Sequence, residues 1–369
     1  MLPAALAPRS PPSSWRRSVA LGTESCSANH PGKVKHEDSQ GASRMVNEVD
    51  PAARPRRRKG TGRKFSVTAV ATGVLGLVLA LAAPNVYARV TTPSKRELLE
   101  KAKFLGPEKQ TLKIGVRDDL PGIANSKDGS LEGFDADIAY AIGEYLEFTR
   151  DKVELHPVKI QERQGMHIYR DDQHINLDLV IAAYSITNDR KKDGVRFSYP
   201  YFMTKQAAMT RGDYPDTVQS LSDLKGKEVC TLPSSTAFDA LRKVGIHPIG
   251  RDRISECIKG LKAGKFAAVQ SDAAVLAGLV AEDMENLKLH NIGVDFTEKW
   301  GVSVRPARAE TDHVLDLVNA ALYKIVSDGT WDKLFNQHFG ATQQRLGGSV
   351  IIAHNEPPGI PAPAIRDYE

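Results

Sequence analysis

LDLVIA, residues 177–182, is a short apolar run broken only by Asp178. It reads as a strand buried on both faces, the kind found in sheets covered by helices. Upstream, Leu112 to Val116 alternates as a strand, and Asp118 to Ser130 is turn-rich. Phe134, Ile138, Ala141, Ile142 and Tyr145 recur at helical spacing over 134–146. Asp135 and Asp137 stand in the first turn of that helix, where carboxylates suit the helix dipole. Val153 to Val158 is a second strand. Downstream, residues 198–202 lead into a strand at 206–210, and the pattern repeats in miniature. Strands at 227–231, 247–249, 267–271 and 287–291 alternate with helices at 237–243, 254–263 and 273–282. Lys299 to Val304 is extended, Asp312 to Ser327 is an amphipathic helix, and Trp331 to Phe339 is a last short helix.

This alternation predicts an α/β protein with largely parallel sheets. Two such units predict two lobes, lobe 1 from 111–205 and 300–342 and lobe 2 from 206–299, joined at a hinge. Ligands in open α/β sheets bind at the carboxyl ends of strands, which places a ligand cleft between the lobes. Residues 343–369 include PPGIPAPAIRDYE and are expected to be a disordered Pro-rich tail.

The 369 residues, 41% hydrophobic and 26% charged, suit a globular protein with two cores. The formal net charge of +5 is outweighed by one cluster, Arg54, Arg56, Arg57, Arg58, Lys59, Arg63 and Lys64. That cluster precedes Phe65 to Ala83, a stretch of 19 residues without charge, so it gives no reason to expect nucleic-acid binding. Basic residues, the apolar stretch and Val86-Tyr87-Ala88 make a secretory signal, cleaved after Ala88. About 20 apolar residues also span a bilayer, so a retained membrane anchor is the alternative. Either way the folded part lies outside the cytoplasm. Residues 1–64 read as a disordered basic segment, with Met45 a candidate true start, and residues 89–110 as a charged lead-in.

Cys26 falls in the N-terminal segment. Cys230 and Cys257 remain as an even pair in an exported domain, which predicts a disulfide; two buried free thiols are the alternative. No Cys/His spacing suggests a metal site, and no cofactor is expected.

Catalytic signatures are missing: there is no G-x-S-x-G, H-E-x-x-H, P-loop or G-x-G-x-x-G. Three strand ends carry binding chemistry instead. Ser185-Ile186-Thr187-Asn188-Asp189-Arg190 follows LDLVIA; a guanidinium fork, hydroxyls and turn amides bind carboxylates, but Thr187 also reads as a helix cap beside a surface Arg. Pro233-Ser234-Ser235-Thr236 opens a helix and offers donors to an anion, or simple capping. Asp272 closes a strand, where it would pair with an ammonium group or cap the next helix.

Three segments in order carry a family resemblance: TLKIGV with GSLEGFDADIAYAIGEYL, LDLVIAAYSITNDRKKDGVRFSYPYF, and LSDLKGKEVCTLPSSTAFDAL continuing to GLKAGKFAAVQSDAAVLAG. Over about residues 110–340 the chain resembles the polar amino-acid solute-binding proteins of ABC transporters, bacterial family 3, and its glutamate-binding actinobacterial branch. The resemblance implies a two-lobe periplasmic-binding-protein type II fold, a monomer that is not an enzyme, and an ABC transporter permease as partner. It implies that Arg190 clamps a ligand α-carboxylate with Ser185, Ser235 and Thr236, and that Asp272 receives the α-ammonium. Asp119 is implied to line the cleft, and Arg163 to bind a side-chain carboxylate, most simply of glutamate or aspartate. The chain departs from the family at Ser234, where Gly is usual, at Ala267-Ala268, where Asp-Ala is usual, and at Ile123-Ala124, where an aromatic is common. The stretch 167–176 is longer than usual. A membrane-tethered sensor and an exported dehydratase-like enzyme are the alternative functions on this fold.

Overall fold

The computed structural model describes residues 92–103, 110–292, 297–305, 312–346, 357 and 359–368. The expected signal or anchor, Met45 and Cys26 lie outside these residues. Among the described residues no helix is long and apolar enough to cross a membrane.

The chain enters through α1 (Lys95–Lys101), capped by Ser94 in a reciprocal box with Glu97, with Leu98 and Leu99 buried. The first sheet then begins with β1 (Leu112–Val116), followed by a small meander of β2 (Asp119–Leu120), β3 (Ala124–Lys127) and β4 (Ser130–Glu132). Next come α2 (Phe134–Tyr145), β5 (Val153–Pro157), α3 (Glu162–Gly165), the hairpin β6 (His167–Arg170) and β7 (Gln173–Asn176), β8 (Leu179–Val180), α4 (Asn188–Lys192) and β9 (Arg196–Thr204). A single residue, Lys205, separates β9 from β10 (Gln206–Arg211). The second lobe continues with β11 (Val229–Thr231), α5 (Thr236–Lys243), β12 (Ile249–Gly250), α6 (Ile254–Lys262), β13 (Ala268–Asp272), α7 (Ala273–Glu282) and β14 (Leu287–Asn291). The chain returns through β15 (Glu298–Val304) and ends in α8 (Asp312–Ser327) and α9 (Thr330–Arg345).

Each lobe holds one five-stranded sheet, β5-β1-β8-β15-β9 and β12-β11-β13-β10-β14. The expectation of largely parallel sheets needs correction. β1 runs parallel to β5 and β8, and β11 parallel to β12 and β13, but β15 and β10 pair antiparallel to both of their neighbours. The reason is connectivity. The chain passes between lobes twice, after β9 and after β14, and the passing strands enter each sheet against its parallel set.

The core of the first lobe is aromatic. Phe202 stacks on Trp300 with ring centroids 4.6 Å apart, and Phe134 meets Phe202, Trp331 and Phe339 at 5.3 to 5.8 Å. Trp331 donates its indole N–H to the Tyr201 carbonyl at 2.7 Å, so its polar edge is satisfied inside the core. Gly133, which precedes α2, has φ 133°, and a Cβ there would sit 2.4 Å from the Ile123 carbonyl oxygen. Only glycine lets the meander turn into the helix at this point.

Two segments differ from the sequence reading. The last helix runs on to Arg345, six residues past Phe339. The Pro-rich tail is ordered over 359–368: Ile360 and Ile365 are buried, and Arg366 exchanges backbone hydrogen bonds with Pro93 and Lys95 at 2.8 and 3.2 Å. Tyr368 packs edge-on against Tyr323 of α8. An extended Pro-rich strip has no internal hydrogen bonds to keep, so it lies down wherever a neighbouring backbone and an apolar groove receive it.

Cys230 on β11 and Cys257 on α6 form the disulfide, with both sulfurs buried. Replacing both by Ser is expected to lower unfolding free energy by roughly 3 kcal/mol in the chain-entropy account, measured by urea denaturation under non-reducing conditions.

Candidate functional site

A small cavity of about 40 Å³ opens where the carboxyl ends of β1, β8, β11 and β13 converge. Its apolar walls are Leu120, Ile160, Leu232 and Val275, and its polar lining contains Arg117, Arg163, Ser185, Arg190, Ser235, Thr236 and Asp272.

Arg190 owes its position to the turn before α4. Thr187 is indeed the helix cap and accepts the Arg190 backbone N–H at 3.2 Å. The cap does not take Arg190 away from the cavity: the capped turn aims the guanidinium back at it. There it donates to the Ser185 carbonyl at 2.5 Å and, across to the second lobe, to the Ser234 carbonyl at 2.9 Å. Ser234 has φ 59°, a left-handed conformation that turns its carbonyl toward Arg190. Glycine at this position would adopt it without strain.

Ser235 caps α5, accepting the Phe238 N–H at 3.1 Å while donating to the Leu232 carbonyl at 2.6 Å. Its hydroxyl is thus committed to the fold. What the turn offers a ligand is the amide-rich start of α5 and the Thr236 residue beside it. Ser185 is buried and lines the same cavity.

Arg163, on α3, is 4% exposed. It donates to the carbonyls of Ile160, Ala182 and Ala183 at 3.1 to 3.2 Å and stacks 4.3 Å from the Tyr184 ring centroid. Arg190 lies over the same ring at 4.7 Å. Among the described residues no carboxylate forms an ion pair with Arg163. Burial, and then the neighbouring Arg190, push its pKa well down. A buried guanidinium held only by carbonyls is an unbalanced charge.

Asp272 stands at the N-cap of α7, yet its side chain makes no cap bond. Its Oδ2 accepts the Trp300 indole N–H at 2.7 Å instead. The capping alternative for Asp272 is therefore excluded by geometry. Burial, with Glu298 adding like charge, raises its pKa to about 8.

Asp119 needs correction. It is buried but does not line the cavity. Its Oδ1 holds the Arg117 guanidinium at 2.7 and 3.1 Å, and its Oδ2 accepts the Ile254 N–H at the start of α6 at 3.0 Å. Asp119 acts behind Arg117, as a fixing group between lobes. Arg117 is the cavity residue that the sequence reading missed. Its Nη1 is buried and finds no hydrogen-bond partner among the described residues. A further unexpected support is Asp135, fully buried, which accepts the Tyr201 hydroxyl and the Ala183 N–H at 2.9 Å each and so fixes the turn that Arg163 grips. Burial raises the Asp135 pKa to about 7.

The polar lining thus gathers three guanidinium groups against Asp272, with Asp119 behind one of them. Once both carboxylates are ionised, the site carries an excess of positive charge.

Residues 112–341 match the family described as bacterial extracellular solute-binding proteins, family 3. The chain is 29% identical to the glutamate-binding protein GluB of Corynebacterium glutamicum, covering 68% of this chain and 83% of that one. It is 27% identical to the glutamine-binding protein GlnH of an ABC transporter of Bacillus subtilis, covering 74% and 96%. A solved structure of an ancestral arginine-binding protein bound to arginine superposes with a TM-score of 0.54 at 33% identity, over 63% of this chain and 99% of the other.

Proposed function

We propose that this chain, which belongs to the bacterial extracellular solute-binding proteins of family 3, captures glutamate or aspartate in the cavity and delivers it to an ABC transporter. One observation carries the choice of ligand: Arg163 is buried with carbonyl partners alone. An acidic side chain would supply the missing anion, and the unpartnered Nη1 of Arg117 would supply a second donor to it. Arg190, with the amide-rich start of α5, takes the α-carboxylate, and Asp272 takes the α-ammonium. A zwitterion with one extra carboxylate neutralises the surplus positive charge of the site, and each buried charge then has a partner. The lining groups pair charges and hold no assembled nucleophile and base, so no chemistry on the ligand is proposed. The basic residues before the apolar segment support a location of the folded part outside the cytoplasm, where it would meet a permease as a monomer.

Calorimetric titration of the purified chain with glutamate, aspartate, glutamine, asparagine, arginine and histidine tests the reading. Binding of an acidic amino acid in preference to its amide is the expected result. Preference for glutamine or arginine would overturn the acidic ligand and leave the α-amino-acid clamp standing. Binding of none would end the amino-acid reading.

A further inference from the structure

The hairpin β6–β7 carries side chains that the cavity does not use. Its two-residue turn, Asp171-Asp172, has positive φ at both positions, 48° and 63°, the mirror-image turn that matches strand twist. Ile168 and Ile175 pair across the hairpin and pack into an apolar cluster with Met166 and Leu177. Arg170 pins the hairpin through two 3.1 Å hydrogen bonds to Glu162 and one of 2.8 Å to the Pro157 carbonyl. The outer face is therefore held rigidly.

On that outer face the rings of His167 and His174 lie with centroids 5.1 Å apart. Nδ1 of His167 is 2.8 Å from the Gly165 carbonyl oxygen. A carbonyl only accepts, so Nδ1 carries the proton and Nε2 keeps the lone pair. Metal-ligating imidazoles are oriented by this kind of bond. His174 is exposed and makes no hydrogen bond among the described residues.

We propose that His167 and His174 form a two-imidazole site for a borderline divalent cation, Cu²⁺ ahead of Ni²⁺ and Zn²⁺, with water in the remaining positions. Imidazole nitrogen suits these ions, and the order of divalent affinities puts Cu²⁺ first. Among the described residues no group of three or more His, Cys, Asp or Glu is placed to hold a metal ion. The protein therefore supplies two donors. Ca²⁺ and Mg²⁺, which take oxygen ligands, are excluded. Sequence spacing gives no hint of the site, because the turn of the hairpin, not a metal-ligand motif, makes the pair.

CuCl₂ titrated into the full chain, followed by calorimetry and by electron paramagnetic resonance, tests this. One bound Cu²⁺ with hyperfine coupling to two imidazole nitrogens is expected. His167→Asn and His174→Asn are each expected to weaken it by at least about tenfold and to remove one nitrogen from the spectrum. Thermal melts and amino-acid titrations of the same samples report fold and cavity separately, so a failure here leaves the amino-acid reading untouched. Since the chain has 10 histidines, the variants decide. Unchanged Cu²⁺ affinity in both variants, or a spectrum without two-nitrogen coupling, would overturn the proposal.

Discussion

Arg163→Met is expected to reduce glutamate affinity by roughly thirty- to several-thousand-fold, while glutamine, if it binds, loses far less. The range follows from the about 2–5 kcal/mol lost when one partner of a buried, hydrogen-bonded charge pair is truncated. The discrimination follows from geometry. Arg163 approaches the cavity from α3, beneath the turn at Ala182 and Ala183, whereas Arg190 reaches in from α4 and spans to Ser234. If the two guanidiniums hold different carboxylates of one ligand, their variants must separate by ligand. Arg190→Ala should cost every α-amino acid about the same factor, since every one has an α-carboxylate. Arg163→Met should cost only those with a second one. Calorimetry with glutamate and glutamine on both variants reads this directly. Equal losses for the two ligands in Arg163→Met would remove Arg163 as the side-chain reader. Lysine in place of Arg190 is expected to recover little, because an ammonium cannot reproduce a fork that holds Ser185 and Ser234 carbonyls at once.

How far the sequence alone leads can be judged from single elements. Strands such as 112–116 and 287–291, and the helix at 312–327, are legible because their apolar periodicity is long or clean. The hairpin at 167–176 is not: its turn is Asp-Asp, without the Gly or Asn that usually marks positive φ. The antiparallel strands escape notice because pairing direction depends on which lobe the chain last left, a fact no local pattern carries. At the site, Arg190 and Asp272 announce themselves at strand ends. Arg117 stands at the end of β1 by the same rule. Asp119 reads as a cavity residue because one of its two partners, the Ile254 N–H, lies 135 residues away, beyond the reach of any local pattern. The tail misleads for a different reason. Its prolines forbid helix and sheet, but burial needs only a receiving surface, here the segment around Pro93.

Glutamate binding near neutral pH is expected to release close to one proton per ligand, and affinity is expected to fall about tenfold for each pH unit below about 8. The cause lies in Asp272. Burial, with like charge on Glu298 from β15, raises its pKa to about 8, while the Trp300 hydrogen bond and then Arg163 and Arg190 pull the other way without overcoming it. At pH 7 the unliganded carboxyl is therefore mostly protonated. An α-ammonium needs it ionised, so the ligand must drive the proton off, and the equilibrium steepens as protons become abundant. Stability runs in the opposite direction. A carboxyl whose folded pKa lies above its unfolded value contributes stability that is complete below the unfolded pKa, near 3.9, and is lost as pH rises through about 8. The unliganded protein should melt at lower temperature toward pH 8, and Asp135, raised to about 7, adds to the same trend. Ligand-induced stabilisation should grow over that same window. Titrations in phosphate and in Tris, whose ionisation enthalpies differ, count the protons released. Asp272→Asn should bind weakly, with no buffer dependence and no slope. A wild-type enthalpy identical in both buffers would mean that Asp272 is already ionised before the ligand arrives, and that the surplus positive charge of the cavity, rather than the ligand's ammonium, keeps it so.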